Sequence, residues 1–194
     1  MHTTTTTRTL AIAASLTLGL TLASCSTNDS SSDAGSSASS SSAASAHDDQ
    51  DVMFAQMMLP HHEQAVEMSD ALLAKGDGVD PDVATLAEQI KAEQGPEIIQ
   101  LASWLQGWGE PTESGHSMSG MMSDSDMTDL DQASAKDAGK LFLQQMVQHH
   151  EGAVDMARSE VDKGMNTDAV AMAKSIVSSQ TEQITQMKDM LAST

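Results

Sequence analysis

From residue 48 onward the apolar residues recur at helical spacing, and they nowhere alternate in the manner of a strand. Phe54, Met58, Ala65, Met68 and Leu72 fall three, four and seven apart, which predicts one buried helical face ending at Lys75 and Gly76. Asp80, followed by Pro81, has the form of a capped start. Val83, Leu86, Ile90, Ile98, Leu101 and Leu105 then give a second stripe, which Gly107, Gly109 and Pro111 end. Ser134 with Asp137 predicts a third start, Gly164 its close, and Thr167 or Asp168 the opening of a fourth helix. Pro60 and Pro96 sit inside helical patterns, where a kink or interruption is expected.

The pattern repeats itself. Residues 54 to 76 align without gaps on 142 to 164: Phe54 on Phe142, Met58 on Met146, His61, His62 and Glu63 on His149, His150 and Glu151, and Met68 on Met156. After a two-residue gap, Ala87, Ile90, Gln94, Ile98 and Leu105 fall opposite Ala173, Ile176, Gln180, Ile184 and Leu191. Two copies of a helical hairpin predict an all-α four-helix bundle over residues 48–194 with a pseudo-twofold axis, its halves joined by a Met- and His-bearing loop at 112–130.

The residues before the repeat change the picture of where the bundle works. Arg8, an apolar run from Leu10 to Leu22, and then Ala23, Ser24 and Cys25 have the form of a lipoprotein signal over 1–24, too short for a permanent span. Residues 25–47 read as a lipidated cysteine followed by a Ser-rich tether. The expected location is therefore the cell membrane, lipid-anchored through Cys25 on its extracytoplasmic face. The formal net charge of −19 argues against nucleic acid as a partner, because an acidic surface repels phosphate. A metal ion and a second copy of the chain are the remaining candidate partners.

Cys25 is the only cysteine, so no thiolate cluster is available, while 15 methionines stand beside two Phe, two Trp and no Tyr. Each repeat carries Met-x-x-His-His-Glu, which sets a thioether within one turn of two imidazoles. Imidazole and thioether together suit copper, and thioether selects Cu(I). Met58, His61, His62, Met146, His149 and His150 are the candidate ligands, with Met57 beside His61. On a helical projection His61 and His149 point into the bundle, whereas His62 and His150 fall at the flank. Gln94 and Glu97, and Gln180 and Gln183 in the second half, are placed to support the histidines. In the loop, His116, Met118, Met121 and Met122 form a second candidate segment, since core packing does not account for methionines among Gly, Ser and Asp. Glu-x-x-His, the di-iron motif of ferritin-like bundles, is absent, and Met58, Leu59, Met146 and Val147 occupy its positions. No nucleophile with a placed base stands out, so the chain reads as a binding protein and not as an enzyme. The competing reading is a helical interaction or structural module in which the histidines only stabilise the bundle.

The segments Phe54 to Met68 and Phe142 to Met156, with Gln94, Glu97, Ile98, Trp104 and Leu105 and the run Gly120, Met121, Met122, resemble the DUF305 family. The resemblance implies a ferritin-like, extracytoplasmic helical bundle and, for some members, copper binding and tolerance. Gln183 stands where that pattern has Glu in the second half.

Overall fold

Asp48 accepts from the N–H groups of Gln50 and Asp51, and Asp51 accepts in return from the N–H of Asp48. This capping box starts α1 (Asp49–Leu73), satisfying donors that a helix end otherwise leaves open. The computed structural model describes residues 46–113 and 118–193. Cys25, the expected signal and the tether up to residue 45 lie outside them.

A 3-10 turn (Gly76–Gly78) leads to α2 (Pro81–Trp108), which is capped by Asp80 and closed at Gly109. α4 (Ala135–Lys163) starts at Ser134, whose hydroxyl accepts from the N–H of Asp137. The side chain of Asn166 accepts from the N–H groups of Asp168 and Ala169, which caps α5 (Thr167–Ser193) at the expected opening, Thr167. α1 and α2 run unbroken through Pro60 and Pro96. The connection between repeats is less loop-like than its composition suggests. Ser123 and Asp126 form a second capping box, and α3 (Asp124–Gln132) follows.

The fold is all-α: hairpins α1–α2 and α4–α5 pack together through α1 and α4, a duplicated, ferritin-like four-helix arrangement. Its apolar interior is divided in two. Phe54, Met58, Leu101, Leu105, Ala153, Ala157 and Ile176 build one core. Met68, Leu72, Leu86, Ile90, Phe142, Met146 and Met187 build the other. The first core takes the early part of α1 with the late part of α4, and the second takes the reverse. The two central helices therefore run antiparallel, and their midpoints meet at a polar layer between the cores.

Among the described residues no helix is long and apolar enough to cross a membrane.

Candidate metal centre

The polar layer consists of the four paired histidines. His61, His62, His149 and His150 are each 0% exposed, so the projection that left His62 and His150 at the flank is corrected. α1 and α4 are central helices, buried on more than one side. His61 and His149 meet across the α1–α4 contact with ring centroids 3.8 Å apart and planes tilted by 43°. His62 turns toward α2 and His150 toward α5.

The hydrogen-bond partners fix which nitrogen of each ring carries the proton. His62 Nε2–H donates to Glu97 Oε2 at 2.7 Å, since a carboxylate only accepts. Gln183 donates its amide N–H to Glu93 Oε2 at 2.9 Å, which leaves its oxygen to accept from His150 Nε2–H at 2.8 Å. His61 Nε2–H donates to the backbone carbonyl of Ser119 at 3.2 Å. In all three rings the proton is on Nε2 and the lone pair on Nδ1, and among the described residues no donor reaches that Nδ1. Neither nitrogen of His149 has a hydrogen bond of normal geometry. The amide of Gln94 and the oxygen of Gln180, repeat equivalents in the same layer, are also buried without partners.

The electrostatics keep His61, His149 and His150 neutral. Burial, reinforced by neighbouring His62, pushes His61 down to about 3. Burial brings His150 to about 4, although its bond to Gln183 works in the opposite direction. His149 is held well below the ordinary value of 6.5 by burial and then by His61, with the backbone carbonyl of His61 opposing weakly. Neutral imidazole is the metal-binding form. A buried polar group without a partner costs about 1–3 kcal/mol, so a cluster of them is a strained arrangement that a bound cation would relieve.

Met58 and Met146, one turn before the histidine pairs, are both fully buried, one in each core. Met57 is half-buried on the wall of a cavity of about 330 Å³. Among the described residues no three His, Cys, Asp or Glu side chains are grouped to hold a metal.

The inter-repeat segment lies differently from its expectation. Met122 is 6% exposed in the second core, with Met127 packed against that core, so packing does account for these methionines. Met121 is half-buried, Met118 lines a separate cavity beside Leu59 and Pro60, and His116 lies outside the described residues. Gln64 grips this segment by donating to the carbonyl of Met122 at 2.9 Å and accepting from its N–H at 2.8 Å. Gly152, the repeat equivalent of Gln64, lets the segment lie on α4: a Cβ there would stand 2.2 Å from the oxygen of Ser119. Gly120 reaches the same contact with φ +85, a conformation that side chains disfavour. Ser119, which covers His61, is thus held by two residues at which the repeat diverges. That divergence between the repeats is the sequence signal for a lid over the histidines.

Comparison with solved structures places this geometry among known bundles. A DUF305 protein of Streptomyces coelicolor, described as secreted, is 34% identical with a TM-score of 0.70, covering 74% of this chain and 93% of its own. A DUF305 fragment from Deinococcus radiodurans is 29% identical with a TM-score of 0.70, covering 76% and 99%. CopM in a Cu(I)-bound form is 30% identical with a TM-score of 0.63, covering 74% and 96%. No functionally curated protein matches the chain. The expected cell-membrane location is corrected: a relative is described as secreted, and no described helix is long and apolar enough to cross a membrane, which takes about 20 apolar residues. Residues 51–191 match the family described as a domain of unknown function, DUF305, and the chain belongs to that family.

Proposed function

We propose that this protein binds a soft transition metal, copper as Cu(I) above all, outside the cytoplasm and sequesters it there. One observation carries the reading: buried, neutral imidazoles at the α1–α4 crossing hold ring nitrogens without hydrogen-bond partners. His61 and His149 are the central ligands of this proposal, with His62 and His150 beside them and Met58 and Met146 as the thioethers one turn away. Met57 and the inter-repeat methionines Met118, Met121 and Met122 are auxiliary. Glu97 and Gln183 orient the outer rings so that Nδ1 is offered and Nε2 is engaged. The likeness to CopM, solved with Cu(I), Cu(II) and silver, supports the same metal class.

Anaerobic titration of the protein with Cu(I) against a competing chelator tests this. Binding that falls at least tenfold in a His61→Gln, His149→Gln variant is the expected result. Affinity no greater than that of a generic His-bearing control, or unchanged in the variant, overturns it. A purely structural role for the histidines predicts loss of stability in that variant with no metal dependence.

A further inference from the structure

The pseudo-twofold axis gives the α1–α4 contact two equivalent grooves, and the protein treats them differently. In one, Met122 and Leu130 fill the space, and Gln145 fastens α3 by donating to the carbonyl of Asp126 at 2.9 Å. The repeat equivalent of Gln145 is Met57, and among the described residues no helix is laid into its groove. What remains is a cavity of about 330 Å³ lined by Met53, Met57 and Met156 together with Asp155, Ser119 and Gly152. All three methionines are half-buried, sharing one cavity and accessible from outside.

We infer that Met53, Met57 and Met156 form a second soft-cation site, an entry station where Cu(I) or Ag(I) is held by thioethers before it reaches the imidazoles. The inference rests on the proposed function of the histidine layer. Thioether sulfur binds monovalent soft cations and discriminates against Ca²⁺, Mg²⁺ and Zn²⁺, which a site beside the carboxylate of Asp155 would otherwise attract. The cavity adjoins the buried layer directly. The backbone carbonyl of Ser119, in its wall, accepts the hydrogen bond of His61 Nε2–H, and Gly152 lies three residues after His149 on α4. Filling the groove as its twin is filled would have closed this approach. Methionine at position 57, where the other repeat has a fastening glutamine, keeps it open and adds a ligand.

The test uses the full chain labelled with ¹³C at the methionine methyls, titrated with Ag(I), with the three resonances assigned by single Met→Leu substitutions. Ag(I) is expected to shift the methyls of Met53, Met57 and Met156. The triple variant Met53→Leu, Met57→Leu, Met156→Leu is expected to bind one equivalent fewer while its histidine ring signals still respond. Unmoved methyls at saturating Ag(I), or full stoichiometry in a folded triple variant, overturn the inference. If the triple variant fails to fold, the wild-type methyl shifts alone decide. Histidine signals that stay still while the methyls move would overturn the imidazole reading and leave the thioether site standing.

Discussion

The ring of His149 lies 3.8 Å from that of His61, yet among the described residues neither of its nitrogens makes a hydrogen bond of normal geometry. A residue kept for stability alone would be poorly placed there, because an apolar side chain would fill the same space without the desolvation cost. His149→Leu is therefore expected to stabilise the metal-free protein by about 1–3 kcal/mol in urea unfolding and to weaken Cu(I) binding at least tenfold. A destabilised variant with intact binding would reverse the argument.

Glu97 and Gln183 serve equivalent rings with different chemistry. Either a carboxylate or an amide oxygen accepts the Nε2 proton, so Glu97→Gln should keep the tautomer of His62 and bind Cu(I) within a few-fold of wild type. Glu97→Ala leaves a buried N–H unanswered, at a cost of about 1–3 kcal/mol, and should lower metal affinity by about 10–100-fold. Chemical denaturation and chelator competition on the two variants separate these outcomes.

Far from the histidines, Asp51 and Glu160 bury their carboxyl groups against each other. Asp51 accepts from the N–H groups of Met165 and Asn166, at 3.1 and 2.9 Å, pinning the α4–α5 turn to the start of α1. Burial alone would raise its carboxyl, but the backbone N–H of Asp48, then the Glu160 carboxyl and the backbone N–H of Asn166, outweigh that and lower it. Burial, and then Asp51, pushes Glu160 up to about 8, so the folded protein holds a proton that the unfolded chain releases near 4.5. Stability from this group is present below 4.5 and is lost as pH rises through about 8. The neutral His61, His149 and His150 act in the other direction. Their folded values lie below 6.5, so stability is lost as pH falls from 6.5 toward about 4 for His150 and about 3 for His61. Melting temperature of the metal-free protein should decline on both sides of about pH 6.5, and Glu160→Gln should remove the alkaline decline only.

Gly152→Ala places a methyl 2.2 Å from the Ser119 oxygen and 2.7 Å from its carbon, both backbone atoms with little room to move. The lid must shift, at a cost of about 1–3 kcal/mol, and His61 loses its acceptor. Gly107→Ala, in α2 with nothing within 4 Å, is the control and should stabilise by about 0.5–1 kcal/mol. Thermal unfolding of both variants, with the ¹⁵N shifts of His61, checks the contrast.

The long helices and their pairing were legible because the apolar spacing and the duplication agree with each other, and the expected caps at Asp80 and Ser134 are where the chain turns. The inward aim of His61 and His149 also followed from projection. The burial of His62 and His150 did not, because a single-helix projection grants each helix one buried face, and α1 and α4 have neighbours on several. α3 was hidden by composition: Ser, Asp and Met suggested a loop, although Ser123 and Asp126 carry the capping spacing. Nothing local marks Glu160 as buried, since its partner Asp51 belongs to the other repeat.

The divided core bears on how much chain is needed to make this structure. Each of the two apolar clusters draws residues from all four long helices, so neither hairpin encloses an interior of its own. A polypeptide carrying one repeat would bury its apolar face only by finding a second copy, antiparallel, about the axis between His61 and its counterpart. Sedimentation of residues 46–113 should therefore show an associating or unfolded species and no folded monomer. The single chain is in this sense a covalently joined dimer, and the join released its halves from being identical. Gln64 became free to clamp a lid while Gly152 made room for it.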